Sequence, residues 1–185
     1  MKIRMKVLGV TYSQLQQGAY ILMLTEEGGT RRVPVVIGVA EAQSIVIRME
    51  NLTPPRPMTH DLMVDTMSRF GISSKEVNIY KFDKGIFYSS ITFSNGDNDV
   101  EVSSRTSDAV ALALRTGSPI YMDEEVLQQA GFESSHFESA ASDKVEENDY
   151  EKMSDAELEA RKKQAVAIEA YEEAALIQQI LQKRK

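Results

Sequence analysis

The sequence predicts a mixed α+β domain with a helical tail, and three observations carry that reading. Segments rich in Val, Ile and Tyr are joined by short turns containing Gly, Asp or Asn, the pattern of antiparallel hairpins. Apolar residues recur at helical spacing in runs that open on Gly, Thr, Ser or Asp and stop at Gly. Beyond Glu133 the apolar anchors thin out, and an acidic, Ser-rich stretch gives way to an end rich in Ala, Glu, Lys and Gln. Together these describe an α+β fold: a mixed, largely antiparallel, curved sheet with three to four helices, plus a C-terminal helical hairpin.

Residues 3–12, 19–25 and 30–37 read as strands, with Glu26-Glu27-Gly28-Gly29 as the loop between the second and third. Pro34 has no N–H to donate, so it puts the third strand at an edge or marks a bulge. Gly38 opens an amphipathic helix whose Ala42, Ile45, Val46 and Met49 fall at helical spacing. Prolines at 54, 55 and 57 force an extended segment. Thr59 then serves as N-cap of a second helix, with Leu62, Met63, Thr66, Met67 and Phe70 on one side and Gly71 as its stop. Strands follow near 76–83, 86–93 and 99–103, with turns at Asp83-Lys84-Gly85 and Asn95-Gly96-Asp97. A third helix runs from about Ser104 to Arg115 and stops at Gly117. Pro119-Ile120-Tyr121-Met122 reads as a short strand, and Asp123 caps a small helix ending at Gly131.

The composition change sets the organisation: a domain over 1–132, an acidic Ser-rich linker over 133–153, and a hairpin over 154–185. Ser154-Asp155-Ala156-Glu157 reads as a capping box, and Leu158, Ala165, Ile168, Tyr171, Ala174, Ala175 and Ile180 as the hairpin seam. So short a piece buries little alone, which points to packing on a partner or on a copy of itself. The net charge is −7, so charge alone gives no strong hold on a duplex. With no Cys, disulfides, thiol nucleophiles and thiolate metal sites are excluded, and two His make a His-rich metal site a poor fit. The N-terminus lacks a signal-peptide core and no apolar run is long enough to span a bilayer, so the expectation is a cytoplasmic protein with no membrane partner.

Two polar clusters carry the functional signal. One is Pro54-Pro55-Arg56-Pro57-Met58-Thr59-His60-Asp61-Leu62, the other Ser103-Ser104-Arg105-Thr106-Ser107-Asp108-Ala109. Each sets an Arg a few residues ahead of an Asp, at the start of a helix. Helix starts present unpaired N–H groups and a positive dipole end, so they bind anions. The same residue types also serve as plain N-caps with solvated charges.

The span from about Lys2 to Phe132 resembles the bifunctional nuclease domain family. The resemblance rests on Val35-Val36-Ile37-Gly38 followed by Glu41-Ala42, on Arg56-Pro57-Met58-Thr59-His60-Asp61-Leu62, on Ser104-Arg105-Thr106-Ser107-Asp108-Ala109, and on Thr116-Gly117-Ser118-Pro119-Ile120. It departs from the family at Ser103, where an acidic residue is common, and at Thr106, where Pro is common. The tail looks like a UVR motif, on Leu158, Ala165, Glu169, Tyr171-Glu172, Ala174-Ala175-Leu176 and Ile180, with Gln178-Gln179 replacing that motif's Arg-Asp pair.

The resemblance implies a nuclease hydrolysing phosphodiester bonds in DNA and RNA. Divalent-metal assistance needs convergent carboxylates for Mg²⁺ or Mn²⁺, and Asp61, Asp108 and Glu41 are the candidates. Asp65, one turn after Asp61, could share its face. His60 could act as general base, or orient a phosphate when protonated. Arg56 and Arg105 would clamp phosphate oxygens, beside Thr59 and Ser107. No organic cofactor is expected. Each residue also has a structural reading: Arg56–Asp61 and Arg105–Asp108 as ion pairs, Glu41 as a buried acid held by Arg105, and Tyr80, Phe82, Phe87, Tyr88 and Phe93 as core or as a base-stacking platform. The alternative function is a non-catalytic oligomeric binding or regulatory module acting through its UVR-like tail. The family resemblance points to a homo-oligomer, with a protein partner met through residues 154–185.

Overall fold

The computed structural model describes residues 1–13, 18–133, 153–167 and 171–184. Eight strands form one sheet: β1 (Lys2–Tyr12), β2 (Ala19–Glu26), β3 (Arg31–Gly38), β4 (Ser73–Asp83), β5 (Ile86–Ser94), β6 (Asp99–Ser104), β7 (Ile120–Asp123) and β8 (Phe132–Glu133). Their order is β6-β5-β4-β7-β1-β2-β3-β8, antiparallel throughout except for the parallel pair β4 and β7. The helices are α1 (Val39–Met49), α2 (Thr59–Arg69), α3 (Thr106–Thr116), α4 (Glu124–Ala130), α5 (Asp155–Ala167) and α6 (Tyr171–Lys183). The α+β class therefore holds, with the sheet open at its edges.

Strand alternation explains which face is covered. Leu22 and Leu24 on β2, Val33, Val35 and Ile37 on β3, and Val77 and Ile79 on β4 are all buried. They meet Ala42 and Ile45 of α1, Val110 and Leu112 of α3, and Val126 and Leu127 of α4 in one core. Burying each of these Val, Leu and Ile side chains stabilises the fold by about 1.5–3 kcal/mol. The sheet curls as expected. The short helix α4 lies against both β3 and β4, four places apart in the sheet, and Ile37 of β3 lines the same recess as Phe87 of β5. A bulge between Val7 and Gly9 shifts the pattern of β1, so that Ile3, Val7 and Val10 all reach the core while Leu8 stays exposed. Pro34 is tolerated because β3 is flanked on its far side only at Arg31 and Arg32, by the two-residue β8.

Several boundaries differ from the sequence reading. β4 starts at Ser73, three residues early, and β8 is a strand too short to leave a periodic signal. Thr59 is the first helical residue of α2 and Met58 its N-cap, because the Met58 N–H already has a partner in the Asp61 carboxylate at 2.9 Å. Likewise α3 starts at Thr106 with Arg105 as cap. Gly117 stops α3 in the left-handed region at φ 74, where a Cβ would be strained. The tail helices α5 and α6 pack as a hairpin around Leu158, Ile177, Ile180 and Leu181. The capping box is present, with the Ser154 N–H 2.8 Å from Glu157 Oε2 and the Glu157 N–H 3.4 Å from Ser154 Oγ. α6 lies against α1 of the same chain, where Gln179 Nε2 donates to Glu50 Oε1 at 3.2 Å. The acidic linker, from residue 134 to 152, and Ile168 of the seam fall outside the described residues. Among those described, no helix is long and apolar enough to cross a membrane.

Candidate functional site

The three candidate carboxylates share one local position. α1, α2 and α3 have N-caps Gly38, Met58 and Arg105, and Glu41, Asp61 and Asp108 each stand three residues later, in the first turn. There the positive end of the helix dipole favours a carboxylate. The fold then separates them. α1 and α3 lie side by side, which brings Glu41 and Asp108 onto a single guanidinium. Arg105 Nη1 donates to Glu41 Oε1 at 2.6 Å, while its Nε and Nη2 donate to Asp108 Oδ2 and Oδ1 at 2.8 and 3.2 Å. The Arg105 pKa is held above its ordinary value by Asp108 first and Glu41 second. Gly38 keeps this geometry open, since a Cβ there would stand 2.5 Å from Glu41 Oε2.

His60 completes the group from α2. Its Nε2 lies 3.2 Å from Asp108 Oδ1 and its Nδ1 2.8 Å from Ser44 Oγ on α1. A carboxylate only accepts, so the neutral ring carries its proton on Nε2 and accepts the Ser44 hydroxyl at Nδ1. These side chains line one cleft of about 690 Å³ between α1, α2, α3, β5 and β6. Thr59 and Ser103 also line it, so the position where the resemblance leads one to expect an acid faces the cleft. Thr106, where Pro is common, is the first residue of α3, a position that accepts Pro readily. The threonine uses it to meet Ser89 Oγ of β5 at 2.6 Å.

Asp61 goes elsewhere. Its Oδ1 accepts from Arg115 Nε at 2.6 Å and it does not line the cleft. The Arg115 side chain is 3% exposed, and its Nη1 also donates to the carbonyls of Ser44 and Ala111 at 3.1 and 3.0 Å. Burial pushes the Asp61 carboxyl up, but the Arg115 bond, the Met58 N–H and nearby guanidinium charge outweigh it and hold the group below the usual carboxylate range. The structure thus replaces an Arg56–Asp61 pair with Arg115–Asp61. Arg56 is exposed and lines no part of the cleft, and Ser107 is buried beside a neighbouring recess. Asp65 pairs with Arg69 at 2.8 Å on the outside of α2. Of the aromatic residues, Phe82 and Phe87 pack together at 4.5 Å against the core, and Phe93 alone reaches the cleft.

Sequence reasoning missed Ser44 and Arg115. Ser44 sits among apolar residues on α1, and Arg115 looks like an ordinary basic residue in a last helical turn. Together they join the His60 group to the Asp61–Arg115 pair, since Ser44 binds His60 by its hydroxyl and Arg115 by its carbonyl.

The bifunctional nuclease domain model matches residues 22–135, a stretch that contains Glu41, Ser44, His60, Arg105, Asp108 and Arg115. The chain belongs to the bifunctional nuclease domain family. It is also 44% identical, over 126 residues, to two uncharacterized proteins of Mycobacterium tuberculosis, one from each of two strains. The alignment covers 68% of this chain and 74% of each relative. Metal-assisted phosphodiester hydrolysis needs convergent donors for a divalent cation. Among the described residues no three His, Asp or Glu side chains group to hold a metal ion. The two carboxylates that do converge are both bonded to Arg105. This set does not fit a divalent cation held by the protein alone.

Proposed function

We propose that this chain is a nuclease that hydrolyses phosphodiester bonds in DNA and RNA at the His60 cleft. The observation that carries the reading is the convergence of His60, Asp108, Arg105 and Glu41 on one open cleft in a chain of this family. Arg105 uses three of its five N–H donors on Asp108 and Glu41, so two remain for phosphate oxygens. Asp108 orients the His60 ring and stabilises it when protonated. Nδ1 is the basic position of the neutral ring, and Ser44 Oγ can pass it the proton of an attacking water. The water oxygen bonds to phosphorus, the bond to the leaving sugar oxygen breaks, and that oxygen takes up a proton from solvent.

The test is cleavage of labelled single- and double-stranded DNA and RNA by wild type, His60→Ala and Asp108→Asn, purified in parallel. Wild-type turnover with loss in both variants is expected. Equal turnover in all three would mean a contaminating nuclease and would overturn the reading. A chelator arm is informative: lost turnover in EDTA would show that the reaction needs a divalent cation, Mg²⁺ or Mn²⁺, brought in with the substrate phosphate. A second reading, a non-catalytic oligomeric module whose UVR-like tail contacts a partner, is favoured by the closure of both cleft carboxylates on Arg105. Absence of turnover in every arm would leave it standing.

A further inference from the structure

The cleft is lined by two chemically different sets of side chains. One is the His60, Asp108, Arg105 and Glu41 group. The other is apolar, with Met58 and Met63 from α2 and its N-cap and Phe93 and Val102 from β5 and β6. Met63 is 40% exposed and Val102 44%, so this wall is open to solvent and unfilled by the chain's own described side chains. A site that only gripped a sugar-phosphate backbone would have no use for it. Bases in a duplex are stacked and paired, and their flat faces cannot enter such a recess unless they are first flipped out. The chain carries a net charge of −7, so charge alone gives no strong hold on the phosphates of a duplex. The volume, about 690 Å³, lies within the range of small-molecule sites. Methionine is flexible and polarisable and packs well against aromatic rings of differing shape.

We propose that the apolar lining of the cleft takes one unstacked nucleobase, with its phosphate at Arg105, so that single-stranded or frayed nucleic acid is the form recognised. This names the substrate class of the site and rests on the nuclease reading for its biological use, but not for its test. Stacking and apolar contact with a base are expected to add about tenfold in affinity or more, with little dependence on which base it is.

The experiment compares binding of adenosine 5′-monophosphate and ribose 5-phosphate to the full chain by titration calorimetry. These ligands share the phosphate and differ by the base. The nucleotide should bind about tenfold tighter or more. Met63→Ser and Val102→Ser, both at exposed positions that the core does not need, should each weaken the nucleotide several-fold and leave ribose 5-phosphate unchanged. Equal affinities for the two ligands, no measurable binding of either, or variants without effect would overturn the inference. Cleavage of an unpaired oligonucleotide and of a blunt hairpin duplex is run alongside. Cleavage without base-dependent binding would remove the recess and keep the nuclease. Base-dependent binding without cleavage would do the reverse.

Discussion

The starts of α2 and α3 look alike in sequence and differ in what the fold makes of them. Both offer an Arg, then Thr, then an Asp at the third helical position. At α3 the Arg closes on its own Asp and on Glu41 of α1, and the group faces the cleft. At α2 the Arg stays in solvent, and the Asp turns to Arg115 at the far end of α3. Position explains the difference. α3 runs through the core beside α1, so its first turn meets another helix start. α2 buries only Met67, so its first turn must be pinned from outside. What α2 gives to the Arg105 group is the residue between, His60, which meets Asp108. One helix start thus supplies charge to the site, and the other supplies a ring and the means of holding it.

The largest effects should fall on the shared group. His60→Ala or Asp108→Asn should lower the cleavage rate by about 10²–10⁴, the range for a positioned acid–base group, with a cooperative melt retained. An unchanged rate in either would break the comparison at its catalytic end. Next comes Asp61→Ala, which leaves the buried Arg115 guanidinium without its carboxylate partner. Removing one member of a buried pair costs about 3–5 kcal/mol, and partial exposure of Asp61 reduces this to about 2 kcal/mol, or roughly 4–8 °C in Tm. A melt within 1 °C of wild type, on this scale about 0.3–0.5 kcal/mol, would show that the pair is not what fixes α2.

The pH dependence sharpens the same contrast. The folded-state pKa of Asp61 is depressed, so its contribution to stability is full above the ordinary carboxylate value of about 3.9 and is lost as pH falls through the lower folded value. The stability gap between wild type and Asp61→Asn should therefore be constant near neutrality and close in acid, as read by urea melts across pH. A gap independent of pH would contradict the pairing. The smallest effect should come from Arg56→Ala, an exposed side chain outside the cleft. A change within about 0.5 kcal/mol in stability and no clear change in rate is expected.

The fold was largely legible because its signals are local. Hairpin turns, Gly stops and helical periodicity place nearly every strand and helix, and Glu41 with Arg105 was readable as an acid needing a partner. What could not be read was set by tertiary placement. Nothing near Asp61 in sequence marks Arg115 as its partner, because the pairing depends on how α2 leans on the end of α3. Ser44 is silent for the same reason, being one small polar residue on a buried helix face. Thr59 shows a further limit: a good cap residue was displaced because Asp61, two residues on, had already satisfied the N–H at Met58.

The most direct measurement compares Asp108→Asn with Asp61→Asn on two axes, single-turnover cleavage rate per folded molecule and Tm. Asp108→Asn should lose the rate by about a hundredfold or more and hold its Tm within a few degrees. Asp61→Asn should lose Tm and keep its rate within a few-fold. The opposite pattern, or two variants that lose rate and stability in the same proportion, would contradict the division of roles between the two helix starts.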